Sequence, residues 1–229
     1  VAPSLGLRQG EVLGLCWDDI DLDAGTLTVR HQLSWRAWKH GCPADVDGRP
    51  TCTYKGKAAK PGPADGGRCP QRIGGGPVLA EPKSAAGRRL VHLPGPLADQ
   101  LRAHRPAQAG ERLAWGSRWD PDRHGWGLVF PAEAGRAQRP ESDSRAWHRL
   151  LDVAAVPQQR LHDARHTAAT LLLVQGVDTT TVGALLGHTS PTVTRRYQHV
   201  VDELRAAAAA KMGELLWGAG PSREELGRP

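Results

Sequence analysis

Long apolar runs are missing from this 229-residue sequence. None approaches the ~20 residues that a bilayer-spanning helix needs, and no basic-then-apolar signal opens the chain. Cysteine is scarce. Four residues at scattered spacings do not make the disulfide framework of a small secreted scaffold. These absences predict a cytoplasmic protein with no membrane association. Tyrosine is scarcer still, at two residues, and no internal repeat is evident. The chain begins at Val1, and its first residues already read like the middle of a domain. An N-terminal part is therefore expected to be absent from it.

What is present is positive charge. Lys and Arg exceed Asp and Glu by six, and the isoelectric point is near 9.5. A basic surface favours polyanions, with nucleic acid first among them. The length allows one large domain or two small ones, and the apolar content allows a buried core.

Read in order, Gly6 to Leu15 suits a short helix with Leu7, Glu11, Leu13 and Leu15 on one buried face, weakened by two glycines. Glu11 lies three residues after Arg8 and can reach it. Trp17 and Ile20 are expected as core anchors. Thr26 to Leu33 alternates apolar and polar residues and reads as a strand. Residues 34–76 are dense in Gly, Pro and charge and read as a long inserted loop. They carry His40, Cys42, Cys52 and Cys69. These four offer zinc ligands, yet their spacing matches no usual Cys-x-x-Cys finger. They read as unpaired loop cysteines, and no metal is expected.

Pro77–Pro82 and Arg88–Pro94 read as two more strands around a turn that begins at Lys83. The result is a small antiparallel sheet with Lys83 at a hairpin. A helix from Gly95 has Leu97 and Leu101 on one face and is expected to break at Pro106. Ser142 is a candidate cap for a helix with Trp147, Leu150, Leu151 and Ala154 as its stripe. From His162 a helix with Ala164, Ala168, Leu171 and Leu172 on one face runs to Gly176. Asp178 caps the next, which buries Val182, Leu185 and Leu186 and stops at Gly187. Ser190-Pro191 opens a third, and Asp202–Trp217 a last one. Residues 218–229 read as a tail.

The stretch from Leu161 to Val200 carries chemistry. It holds His162 and Arg165 three apart, His188 after a Leu-Gly pair, and Tyr197 among basic and polar neighbours. A phosphodiester resists attack because it is anionic and its leaving alkoxide is poor. Breaking it needs cations at the non-bridging oxygens, an in-line nucleophile and an acid for the leaving oxygen. Arginine forks suit the first task and never lose charge near neutral pH. A tyrosine has a free pKa of ~10 and needs a cationic setting to act as nucleophile. Arg8 and Arg165, brought together by folding, are the expected source of that field.

These positions form a pattern. Gly6-Leu7-Arg8-Gln9-Gly10-Glu11 resembles the first box of the tyrosine recombinases, also called the phage-integrase family. His162-Asp163-Ala164-Arg165-His166 resembles its His-x-x-Arg box, and Leu186-Gly187-His188 its third box. Tyr197, nine residues on, falls where the family nucleophile belongs. Pro82-Lys83-Ser84 before Arg88-Arg89-Leu90-Val91 resembles the hairpin of the catalytic lysine. The resemblance runs from Leu5 to about Val200.

The resemblance implies an α+β, mostly helical fold with a small antiparallel three-stranded sheet. It implies an integrase-type catalytic domain over 1–217, with 34–76 as an insert and 218–229 as a flexible tail. It implies a site-specific recombinase that cleaves and rejoins DNA strands through a 3′-phosphotyrosyl link, without cofactor. Tyr197 is implied as nucleophile, Arg8 and Arg165 as phosphate clamps, Lys83 as the acid for the 5′ oxygen. His162 and His188 are implied as proton-transfer and hydrogen-bonding groups, with Glu11 and Asp163 orienting their neighbours. The implied partners are double-stranded DNA and, at synapsis, three further copies in a homotetramer, with Asp202–Trp217 docking on a neighbour. The family's usual N-terminal DNA-binding domain is expected to be absent from this sequence. That leaves a truncated remnant that binds DNA without recombining it as the alternative. Further rivals are a topoisomerase-like relaxing enzyme and a zinc-stabilised interaction protein.

Overall fold

A computed structural model describes residues 2–43, 50–52, 69–82, 87–120, 124–187, 206 and 208–215. Expectations for Lys83, His188, Tyr197, the Ser190-Pro191 helix and the 218–229 tail lie outside those residues. The helices are α1 (Ala2–Leu5), α2 (Gln9–Leu13), α3 (Gly95–Trp115), α4 (Pro140–Val153), α5 (Leu161–Val174) and α6 (Thr179–Leu186). The strands are β1 (Ile20–Asp21), β2 (Thr26–Val29), β3 (Gln32–Arg36), β4 (Gly76–Ala80) and β5 (Arg89–His92). The fold is thus mostly helical with small antiparallel sheets, as expected. No helix among the described residues is long and apolar enough to cross a membrane.

The sheets differ in make-up from the sequence reading. Three strands pair in the order β1-β2-β5, with Leu27 opposite both Ile20 and Val91. A separate ladder joins β3 to β4, with Gln32 opposite Ala80 and Arg36 opposite Gly76. The single strand expected over Thr26–Leu33 is therefore two, and the strands flanking Lys83 pair with different neighbours rather than with each other. The break has a physical cause. Asp19 is buried and draws the chain at residues 30–31 toward itself: Arg30 lies 3.6 Å from its carboxylate and His31 Nδ1 3.1 Å. Strand β3 also takes in residues 34–36, so the 34–76 insert starts as strand and extends the β3–β4 hairpin.

The main core gathers Leu5, Leu7, Leu15, Leu27, Val29, Val91, Leu97, Leu101 and Val129, with Trp17 and Ile20 against it as expected. Each such buried side chain contributes ~1.5–3 kcal/mol of transfer free energy. A second cluster of Ala169, Leu173, Val182 and Leu186 joins α5 to α6.

Three helix expectations are corrected. Helix α3 continues through Pro106 to Trp115. Pro106 and Arg102, whose carbonyl loses its donor, are both exposed, so water can serve the orphan oxygen. Beyond the proline, buried Gln108 anchors the helix. Its Oε1 accepts from Trp17 Nε1 at 2.6 Å, and its Nε2 donates to the carbonyls of Leu128 (3.2 Å) and Val129 (3.0 Å). Helix α4 starts at Pro140, with Arg139 rather than Ser142 at the cap position, and Leu151 is its buried residue while Leu150 is exposed. In α5 the inward residues are Ala164, Arg165, Ala169 and Leu173, and Leu171 faces solvent. Turning Arg165 inward rotates the expected stripe by one position.

Candidate active site

Helix α2 begins one residue after Arg8, which sits at its cap position with extended backbone. Glu11 reaches back in a capping box: Arg8 donates its backbone N–H to Oε2 at 2.9 Å and its Nη1 to Oε1 at 2.8 Å. Glu11 is 2% exposed. It also receives Arg89 from β5, through Nη2 to Oε2 at 2.9 Å and Nη1 to Oε1 at 3.3 Å. Burial pushes the Glu11 carboxyl up. The hydrogen bonds and charge of Arg89, then those of Arg8, outweigh it and hold the group below its ordinary value of 4.5.

Arg165 projects inward from α5 and is 4% exposed. It donates Nη1 to the Gly6 carbonyl at 2.5 Å and Nη2 to the Leu186 carbonyl. Arg8 donates Nη2 to the next carbonyl, that of Gly187, at 3.1 Å. Arg89 Nε holds the preceding one, Leu185, at 2.7 Å. Three arginines from three parts of the chain thus grasp three consecutive carbonyls at the end of α6. These helix-terminal oxygens have no intrahelical donor. Two of the three guanidiniums share the Glu11 carboxylate, and the third, Arg165, lies on carbonyls, so these four described residues carry a positive excess.

Local sequence explains the delivery. Asp178 caps α6 by accepting the N–H groups of Thr180 (2.9 Å) and Thr181 (3.0 Å). Gly6 packs under the far end of that helix at φ +60°, where an added Cβ would lie 2.2 Å from Leu186 Cδ2. Gln9 Nε2 ties α2 to α4 through the Pro140 carbonyl and the Asp143 carboxylate, each at 2.9 Å.

The structure brings Arg8, Glu11 and Arg165 together. His162 lies on the exposed first turn of α5, its ring edge-on to His166 with centroids 5.0 Å apart. Asp163 was expected to orient its box neighbours, but its carboxylate takes Arg160, the residue before α5, at 3.1 Å. That Arg160 hydrogen bond is the main reason its carboxyl is held low. Arg89 was missed as a site residue. In sequence it is one of two adjacent arginines on a strand, and its partner Glu11 lies 78 positions away. A groove of about 640 Å³ lined by Trp17, Arg105, Trp119 and Trp126 contains none of these residues.

Two further groups could be considered for metal. Cys16, Asp19 and His31 lie together, but Asp19 already serves the Cys16 N–H, His31 and Arg30. Burial, then Asp19 and Asp18, push the Cys16 thiol up to about 12. A thiol so disposed stays protonated and is a poor ligand. His40, Cys42, Cys52 and Cys69 are different. The sequence reading took the cysteines as unpaired loop residues, and the three are free thiols; the structure also gathers all four residues at the end of the β3–β4 hairpin.

The phage integrase family model matches residues 115–203. An integrase of Saccharopolyspora erythraea is 38% identical over 95% of this chain and 52% of its own length. A XerC-like tyrosine recombinase of Caldanaerobacter subterraneus is 30% identical over 92% of this chain and 46% of its own. The chain thus spans about half the length of the curated relatives it matches. Among solved structures, the Tn1549 transposon integrase in complex with transposon right end DNA superposes with a TM-score of 0.58 at 18% identity, over 86% of this chain and 51% of that one. XerA recombinase gives 0.54 at 18% identity, over 91% and 54%.

Proposed function

Because this chain belongs to the phage integrase family of tyrosine recombinases, we propose that it cleaves and rejoins double-stranded DNA at a specific site through a covalent tyrosine intermediate. The observation that carries the reading is the convergence of Arg8 and Arg165 on the adjacent carbonyls of Leu186 and Gly187. Two guanidiniums at one place suit the spread charge of a phosphoryl transition state.

The Tyr197 oxygen attacks the scissile phosphorus, and the bond to the 5′ oxygen breaks. Arg8 and Arg165 hold the non-bridging oxygens as negative charge grows there. Lys83 gives the departing 5′ oxygen its proton. His162 assists removal of the phenolic proton, and His188 donates a hydrogen bond to the phosphate. The product is a 3′-phosphotyrosyl ester and a free 5′ hydroxyl. Attack by another strand's 5′ hydroxyl reverses the step, so the phosphodiester is conserved without ATP. Glu11 positions Arg8 and has no contact with DNA. Synapsis joins four copies on two duplexes, in the cytoplasm where such DNA is found.

The test is trapping on nicked duplexes drawn from a randomised pool. The nick lets the short cleaved fragment diffuse away, so the adduct accumulates. A detergent-stable protein–DNA adduct that disappears in Tyr197→Phe is the expected result. Tight DNA binding with no adduct would instead favour a binding-only remnant.

A further inference from the structure

We propose that His40, Cys42, Cys52 and Cys69 form a structural zinc site that closes the end of the β3–β4 hairpin. Their four ligating atoms all lie within 4.8 Å of one another. His40 Nδ1 is 3.1 Å from Cys52 Sγ and 3.7 Å from Cys42 Sγ. Around a tetrahedral zinc, with Zn–S near 2.3 Å and Zn–N near 2.0 Å, ligand atoms stand ~3.5–3.8 Å apart. The four donors already surround a space of one ion. Three sulfurs and one imidazole are the donor set of a closed structural zinc centre, with no position left for substrate.

The backbone builds this arrangement from three sequence-distant pieces. Lys39 and Ile73 exchange both backbone hydrogen bonds at 2.9 Å, which sets His40 beside the Cys69 turn. The Pro43 carbonyl accepts the Thr51 N–H at 2.9 Å and its hydroxyl at 2.8 Å, which brings Cys52 back to Cys42. Arg72 N–H closes a turn on the Cys69 carbonyl at 3.1 Å, and the Gln71 N–H donates to the Cys69 sulfur. Gly41, between two ligands, has no room for a side chain: a Cβ would lie 2.1 Å from the Gln71 carbonyl oxygen.

The hairpin end has a reason to need a metal. Among the described residues from 37 to 75, Cys69 is the one buried hydrophobic side chain, at 4% exposed. The described residues of the extension form no apolar core of their own, and a metal is one of the few staples that can replace one. Binding holds all three cysteines as thiolates, so with a neutral imidazole the zinc centre carries one net negative charge.

The test uses the full chain purified in zinc-containing medium. Metal analysis should find ~1 zinc per chain, retained in Cys16→Ser and lost in Cys42→Ser and Cys69→Ser. Exchange with cobalt should give the visible bands of a tetrahedral site and a sulfur-to-metal charge-transfer band. His40→Cys should keep the metal and strengthen that charge-transfer band, which a misfolded variant would not do. Less than ~0.1 zinc per reconstituted chain, a cobalt spectrum unmoved by Cys69→Ser, or a disulfide linking any two of the three cysteines would overturn the proposal.

Discussion

The arginine cluster at the end of α6 and the sulfur cluster at the end of the β3–β4 hairpin are assembled alike but satisfied differently. Each gathers residues that lie far apart in sequence. In the first, every guanidinium meets oxygens supplied by the protein: Glu11, Gly6, and the carbonyls from Leu185 to Gly187. In the second, the side chains meet chiefly each other. A thiol is a weak hydrogen-bond donor, so such mutual contacts cannot account for the convergence in the way carbonyls and a carboxylate account for the arginines. The first is a pre-formed electrostatic site; the second is a frame whose four donor atoms converge within 4.8 Å of one another.

The largest expected effect tests the electrostatic half. Arg165→Lys keeps the charge but loses the fork that spans two carbonyls. Covalent adduct formation should fall by ~10²–10³, with a much smaller change in DNA affinity by filter binding. Equal losses in both would remove Arg165 from the transition state. Next comes Glu11→Gln, which leaves Arg8 and Arg89 without their counter-ion. Urea unfolding should show a loss of ~3 kcal/mol, the scale of a broken buried pair. Because the Glu11 carboxyl is held below 4.5 in the fold, its contribution is complete above pH 4.5 and drains away as pH falls through the lower folded value. The Glu11→Gln protein should lack that part of the acid sensitivity in a pH series of unfolding curves.

A smaller effect tests the other half. Gly41→Ala should weaken zinc binding by ~10-fold in chelator competition, the usual scale for displacing a metal ligand's support, while leaving adduct formation intact. Parallel losses of zinc and adduct would merge the two regions into one site. Smallest is Asp178→Ala, which removes the α6 cap and should cost about 1 kcal/mol in thermal unfolding. No measurable change would mean that the arginine contacts and the Val182–Leu186 packing against α5 hold α6 in place without the cap.

The sequence disclosed local pairings better than distant ones. Arg8 and Glu11 were readable because three residues separate them, and Asp178 and Gly187 because caps and stops act within one turn. Arg89 was not readable, since a buried role depends on a partner brought in by the sheet. Pro106 misled because local rules count its lost hydrogen bond but not the Gln108 anchor beyond it. The β2–β3 break depended on Asp19, which pulls from another element. His40, Cys42, Cys52 and Cys69 were noticed as zinc candidates and ranked on spacing below unpaired loop cysteines. Spacing identifies known fingers, whereas here the hairpin ladder, not a short loop, sets the ligand geometry.

The grip on residues 185–187 acts as a ruler. Successive α-carbons across a trans peptide stand ~3.8 Å apart, and each residue in that run answers to its own arginine. Adding or deleting one residue within α6 would turn the carbonyls of Leu185, Leu186 and Gly187 away from their forks. Lineages of this protein should therefore hold the segment from Arg165 to Gly187 to a fixed count.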